Sequence, residues 1–189
     1  MSKDKKEIFV LGIIGTTATG KDTAANFLKK YGFRKIVMSD FLRLEAEAKG
    51  IKTTRDNLRK IQHELRKEYG EEYLVSKVIE SILTKNFSKS RVVIVGLRTP
   101  TDVQLVKKKL KAKIIFMDAK PELRFLRQKA RQRTGFKKNF PAFLQEEALE
   151  NAAFDFHLTK KMADFKIENN GEKEELYKKV KVILRKLKI

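Results

Sequence analysis

The sequence predicts an α/β fold, a parallel sheet of about five strands with helices on both faces, in a single domain. Three observations predict it. Short apolar runs rich in β-branched residues alternate with stretches of helical period, the pattern of strands buried on both faces and joined by crossover helices. A glycine loop joins the first apolar run directly to the first helical stretch. No later run approaches the roughly 18–20 apolar residues of a membrane span, so the apolar segments belong to a core.

The first strand is read over residues 8–14, IFVLGII. Gly15-Thr16-Thr17-Ala18-Thr19-Gly20-Lys21 follows at once and matches G-x-x-x-x-G-K. A helical period then takes over, with Ala24, Phe27, Leu28 and Tyr31 at steps of three and four. Strand, glycine loop and helix together define a P-loop. Glycines at both ends let successive backbone N–H groups turn inward around a polyphosphate. The helix behind them aims its unpaired N–H groups and positive dipole end at the same place. Lys21 adds a mobile charge that can follow the β- and γ-phosphates. The expected architecture is therefore the three-layer P-loop NTPase fold, with ATP and Mg²⁺ as cofactors. Gly15, Thr16, Thr17, Ala18, Thr19, Gly20, Lys21, Asp22 and Thr23 are the expected nucleotide-binding residues.

The strict motif continues with Ser or Thr, whose hydroxyl holds Mg²⁺; here Asp22 stands in that position and Thr23 comes one later. A carboxylate beside phosphate is repulsive unless a metal or water lies between them. Asp22 either helps to hold the metal through water or points away as a first-turn acid favoured by the helix dipole.

A second strand is expected over residues 33–39, entered through Gly32. Asp40 caps a helix that Gly50 ends. Thr53-Thr54-Arg55-Asp56 starts another helix, through Tyr69, with Leu58, Ile61 and Leu65 on one face. Gly70 breaks it, and residues 72–83 form a third helix with paired apolar positions Leu74/Val75, Val78/Ile79 and Ile82/Leu83. Residues 41–86 are thus a helical insert, longer than a plain crossover needs. Residues 91–96 form a third strand; Pro100 opens a helix that buries Val103, Val106 and Leu110. Residues 112–118 give a fourth strand, Pro121 opens the next helix, and residues 165–168 form a short fifth strand. Asn169-Asn170-Gly171 is a turn, and a last helix buries Leu176, Val180, Ile183, Leu184 and Leu187. In such sheets the ligand crevice lies at the carboxyl ends of the strands, where Gly15, Asp40, Arg98 and Asp118 fall. Asp118 has two readings, polarising a group in the cleft or capping the turn after it.

The chain of 189 residues carries a formal charge of +20 and no cysteine, which excludes disulfides and thiolate metal sites. Its Lys residues are spread along the chain. That favours a solvated surface that attracts anionic nucleotides over a nucleic-acid partner. His63 and His157 are isolated and lack acidic partners at ligand spacing. The first residues hold no apolar targeting segment, so a soluble, cytoplasmic monomer or homodimer is expected.

Asp40-Phe41-Leu42-Arg43 resembles the G-D-x-L-R signature of the nucleoside monophosphate kinases, with Ser39 in place of glycine. The resemblance implies that Arg43 meets the acceptor phosphate, that Asp40 belongs to the same site, and that residues 41–86 bind the acceptor. Gly96-Leu97-Arg98-Thr99 is similar to the D-G-F-P-R-T turn of adenylate kinases with one residue deleted. It also resembles the G-x-R turn of deoxynucleoside monophosphate kinases and of archaeal dephospho-CoA-kinase-like proteins. Arg98 is then a second acceptor clamp, its planar guanidinium suited to bidentate phosphate binding. Val95 stands where adenylate kinases carry the acid that supports the metal.

Arg124, Arg127, Lys129, Arg131, Arg133, Lys137 and Lys138 form a run with no acid between Leu123 and Gln145. Pro121-Glu122-Leu123 followed by Arg127 and Arg131 is similar to the helix leading into the adenylate-kinase lid. That implies a lid region over 124–145, with residues 134–141 as a short loop. In it, arginines neutralise the transferring phosphoryl group and closure expels water. Ala163-Asp164 and Asn169-Asn170-Gly171 resemble the A-D…N-x-G ending of the archaeal dephospho-CoA-kinase-like proteins.

Taken together, the resemblance implies one kinase domain over 1–189, with core segments 7–40, 87–123 and 152–189. Lys21, Arg98, Arg127 and Arg131 are its expected catalytic residues, and Asp40, Arg43 and Arg98 its acceptor-binding residues. Its reaction would move the γ-phosphoryl of ATP-Mg²⁺ to a small nucleotide-like acceptor, a (deoxy)nucleoside monophosphate foremost. Two alternatives stand beside it. One is hydroxyl phosphorylation of the dephospho-CoA kinase type, with Asp40 or Asp22 as the base. The other is a P-loop ATPase or RNA-associated module with no small-molecule acceptor.

Overall fold

In the computed structural model, which describes residues 8–84, 91–131 and 139–189 without the Arg55 side chain, five parallel strands form one sheet. They are β1 Phe9–Ile14, β2 Phe33–Val37, β3 Arg91–Val95, β4 Lys113–Asp118 and β5 Phe165–Glu168, in spatial order β2-β3-β1-β4-β5. Ile13 pairs with Val95, Ile14 with Phe116, Val37 with Val95, and Asp118 with Glu168. The carboxyl ends of all five strands therefore share one edge, and the loop after the central β1 leaves from its middle.

The helices are α1 Lys21–Leu28, α2 Met38–Ala48, α3 Arg55–Tyr69, α4 Tyr73–Thr84, α5 Pro100–Leu110, α6 Pro121–Arg131, α7 Phe140–Ala153, α8 Phe156–Lys161 and α9 Lys173–Lys186. A 3₁₀ turn, Lys29–Tyr31, extends α1 and ends at Gly32 with φ +78°. Side chains alternate across each strand, so both faces of the sheet are apolar. Leu11, Ile13, Val93, Val95, Ile115 and Met117 pack against α1 and α9. Val10, Ile14, Val92, Ile94 and Ile114 pack on the opposite face against α2, α3, α4 and α5. Phe27 stacks on Tyr177 at 4.1 Å between ring centroids, closing α1 on α9. Each fully buried Leu or Ile in these layers contributes about 1.5–3 kcal/mol relative to exposure.

Local signals set the helix starts. Thr54 caps α3 by accepting from Asn57 N at 3.2 Å. Thr99 and Asp102 form a reciprocal capping box at α5, with Pro100 in the first turn. Asn139 caps α7 through Ala142 N at 2.9 Å.

Several expectations need correction. β2 ends at Val37, and α2 begins at Met38 with Val37 at its N-cap, so Asp40 lies inside the first turn and does not cap. Met38 explains the shift: its side chain is buried in the core, which pulls the helix start back by three residues. Leu83 is exposed although Ile82 beside it is fully buried, because successive helical positions turn about 100° and only Ile82 faces the core. Phe140 and Pro141 belong to the first turn of α7, not to a loop, because Asn139 and Pro141 together make a strong helix start. The rest of the expected lid loop, 134–138, and Arg133, Lys137 and Lys138 lie outside the described residues. No described helix is long and apolar enough to cross a membrane.

Candidate active site

Backbone geometry shapes the loop between β1 and α1. Gly15 has φ +150°, and a Cβ there would lie 2.4 Å from Met117 O and 2.9 Å from Thr19 Oγ1. Gly20 has φ +96°, and its Cβ would lie 2.3 Å from Asn169 Nδ2. Only glycine meets both the conformation and the packing. The buried Thr19 hydroxyl donates to Thr16 O at 3.0 Å and ties the loop to itself. The turn after β5 braces it from behind: Asn169 Nδ2 donates to Thr19 O at 2.9 Å, and Asn169 N donates to Asp118 O at 2.8 Å. Asp164 accepts from Ile114 N at 2.7 Å and pairs with Lys107, fixing β5 to β4. Those bonds supply the physical role of the A-D…N-N-G ending.

Lys21 folds over this loop and donates to Gly15 O at 2.7 Å and Thr16 O at 2.6 Å. Burial, with the Arg98 guanidinium nearby, pushes its ammonium down to about 7, against the opposing pull of Asp22. An amine so poised gains a full charge when a polyphosphate arrives.

The loop opens onto a cleft of about 620 Å³ between the sheet edge, α2, α3 and α6. Thr17, Ala18, Lys21, Asp22, Arg43, Arg98 and Arg131 all line it, as expected residues brought together from five parts of the chain. Gly15 and Thr16 line a smaller cavity of about 70 Å³ that shares Thr17, Lys21 and Arg98 with the cleft. Thr19 and Gly20 are buried under the loop, and Thr23 is half-buried in the first turn of α1. Asp40 lines neither space; it is exposed and pairs with Arg43 at 2.8 Å. Arg127 lines neither: it donates to Asn169 O at 3.0 Å and Gly171 O at 3.4 Å, in the turn that braces the loop. Burial and then Arg131 lower its pKa. Asp118 turns back on Ala119 N at 3.0 Å, the turn-capping alternative.

Arg98 is held at four points. Asp102 accepts from its backbone N at 2.8 Å, Thr159 Oγ1 donates to its carbonyl at 3.0 Å, and its guanidinium lies 5.2 Å from the Phe154 ring centroid. The fourth is Glu150 of α7, 3.7 Å away.

Glu150 belongs to a group that the sequence did not single out. Arg59, from α3, lines the cleft and meets Glu146 at 2.5 Å and Glu150 at 3.1 Å. Burial alone would lower its pKa, but Glu150 and Glu146 together raise it. The buried Arg124 is clasped by Glu147, with Nη2 to Oε2 at 2.7 Å, and its Nε donates to Ala119 O at 2.9 Å. One helix thus presents carboxylates to arginines from α3, α6 and the turn after β3. The only sequence signal was Glu146 and Glu150 at i, i+4; their partner Arg59 lies 87 and 91 residues earlier.

Asp22 answers the question its position raised. Its half-exposed carboxylate meets Lys35 of β2 at 2.5 Å. Val95 is buried and apolar, so the turn after β3 adds no acid there. Among the described residues no group of three or more His, Cys, Asp or Glu could hold a metal. A single carboxylate still fits Mg²⁺, which is commonly held by one or two carboxylates together with substrate phosphates and water.

A five-stranded parallel sheet in this order, with a glycine loop at its centre and cations around the cleft it opens on, defines the class of P-loop kinase folds. A family model described as an AAA domain (AAA_17) matches residues 14–139, and the chain belongs to that family. The chain is 31% identical over 183 residues to a UPF0200/UPF0201 protein of Archaeoglobus fulgidus, covering 96% of itself and 56% of that relative. It thus spans little more than half of that relative's length. Among solved structures, shikimate kinase from Bacteroides thetaiotaomicron superposes with a TM-score of 0.58 at 15% identity, covering 96% and 99% of the two chains. A gluconokinase from Sinorhizobium meliloti 1021 gives 0.56 at 13% identity over 96% and 94%. At such identities these likenesses establish the fold.

Proposed function

We propose that the protein transfers the γ-phosphoryl group of ATP to a small anionic acceptor, with a nucleoside monophosphate as the best-supported substrate. The observation that carries this reading is the convergence of Lys21, Arg43, Arg59, Arg98 and Arg131 on one cleft beside a glycine loop. The loop's backbone N–H groups and the N-terminus of α1 hold the donor phosphates. Lys21 follows the phosphoryl group, and Arg98 faces both ends of the transfer. Arg43 and Arg59 hold the acceptor's phosphate, and Arg131 neutralises charge on the group in flight. In this reading α2, α3 and α4 are the acceptor side and region 124–145 is the lid. Mg²⁺, when bound with the nucleotide, neutralises charge on its β- and γ-oxygens. Asp22 is the carboxylate of this chain available to it. Arg127 acts through the turn it grips and positions the loop, rather than touching substrate.

A hydroxyl acceptor is the second reading, and Glu150 favours it. A carboxylate lining a cleft of cations is a burden to a phosphate acceptor, but to a hydroxyl it is a proton acceptor. Asp40 does not line the cleft and is paired with Arg43.

The test is ADP release with ATP and Mg²⁺ across ribo- and deoxynucleoside monophosphates and dephospho-CoA, with Lys21→Ala as control. Release that depends on one monophosphate and falls by about 10²–10³ in Lys21→Ala is the expected result. Release indifferent to every acceptor would remove the kinase reading and leave an ATPase.

A further inference from the structure

Asp22 sits where a carboxylate is least welcome. It occupies the first turn of α1, lines the cleft, and follows directly the lysine that folds over the loop. A nucleotide polyphosphate arriving there brings several negative charges toward a fixed one. The helix dipole favours the carboxylate only partly, and the same dipole is needed for the phosphates.

The neighbouring strand supplies the compensation. Lys35 lies between Phe33 and Val37 on β2; period-two alternation puts all three on the face toward α1. Phe33 packs in the core beside α1, and Val37 lines the cleft. Lys35 is therefore drawn inward: its side chain is 16% exposed, against 46% for Asp22, and it meets Asp22 Oδ1 at 2.5 Å. An ammonium so covered requires a charged partner. Val95, at the end of the neighbouring β3, is buried and apolar, so it supplies no second carboxylate. The pair Asp22–Lys35 is neutral as a unit.

On the reading that the glycine loop is the donor site, we propose that Lys35 is a built-in counter-ion for Asp22. It lets the loop accept a nucleotide polyphosphate beside a carboxylate and reduces the site's need for a divalent ion. A metal-bound nucleotide carries its own cation and depends little on Lys35. A metal-free nucleotide depends on it strongly. Lys35 is a positioning residue here, acting through Asp22.

The test is calorimetric binding of ADP in EDTA and in excess Mg²⁺. It uses the full chain as wild type, Lys35→Met, Lys35→Arg, Asp22→Asn and the double variant Asp22→Asn/Lys35→Met. Lys35→Met is expected to weaken metal-free ADP by at least about 10-fold and Mg²⁺-bound ADP by less than about 3-fold. Lys35→Arg keeps the charge and stays near wild type. In the double variant no carboxylate remains to be neutralised, and metal-free affinity returns to within about 3-fold of wild type. Asp22→Asn alone, which leaves an unmatched cation, tightens metal-free ADP. This variant keeps the test alive should Lys35→Met fail to fold. Equal losses with and without Mg²⁺, no recovery in the double variant, or weaker metal-free binding in Asp22→Asn would each overturn the proposal and leave Lys35 as a tether between β2 and α1. A wild type that binds ADP under neither condition would remove the donor-site reading, and this inference with it.

Discussion

The two ends of the cleft are built from different material. At the glycine loop, position is set by backbone: Gly15 against Met117 O, Gly20 against Asn169, Lys21 on two loop carbonyls. Across the cleft, position is set by long side chains, with Arg59 and Arg98 each held by a glutamate of α7. Close packing of backbone permits one arrangement, whereas ion pairs between flexible side chains can be exchanged for others. The loop is therefore a fixed mould, and the far wall a set of cations on loan to internal carboxylates. Substitutions in the first should act all-or-none and those in the second by degrees.

Among substitutions that separate these two walls, the largest effect should come from Gly15→Ala. Its Cβ meets backbone, which cannot swing aside, so the loop must move, and a shift of about 1 Å at a reacting centre costs about 100-fold in rate. Turnover and ADP binding measured together, with a thermal melt to confirm folding, check this; a mild, graded loss would break the contrast.

Glu150→Gln should be smaller and of the opposite sign. It removes a like charge from the acceptor's path and one of the partners of Arg59 and Arg98, so affinity for a monophosphate acceptor should rise by about 3–10-fold. The gain should shrink at high salt. A loss of turnover by about 100-fold would instead make Glu150 a base and move the acceptor to the hydroxyl class.

The smallest effect is the uptake of at most one proton. With Lys21 lowered to about 7, the free protein at pH 8 holds that amine mostly neutral. A bound polyphosphate favours the ammonium, so ADP binding should take up close to one proton at pH 8 and almost none at pH 6. Affinity should accordingly fall as pH rises through that interval. Calorimetry in buffers of different ionisation enthalpy measures the uptake directly; no uptake at pH 8 would mean that phosphates do not reach Lys21.

The same contrast explains what could be read from the chain. The loop is contiguous, so its geometry is written in seven successive residues, and the apolar strands around it announce themselves by composition. β5 was legible over Phe165–Glu168 because a short alternation of apolar and charged residues ends in Asn169-Asn170-Gly171. The far wall has no such local record. Arg59 and Glu150 become meaningful only when α3 and α7 are brought side by side, and α7 itself was hidden because its polar and apolar residues do not sort cleanly onto two faces. Asp followed by Arg at i+3 reads as a phosphate signature, and in the fold Arg43 lines the cleft while Asp40 pairs with it from outside the lining. Lys35 was invisible within a strand, where nothing local distinguishes an inward lysine from an outward one.

The brace from Asn169 to Thr19 has a consequence for how the protein is made. The loop leaves the ribosome 150 residues ahead of the donor to Thr19 O. β5, which positions that donor, joins the sheet only through β4. During synthesis the nascent chain therefore carries a glycine loop with its motif complete and its shape unset. Nucleotide cannot reward folding until Asn169 has emerged, and until then the apolar strands of the growing polypeptide are exposed without that support.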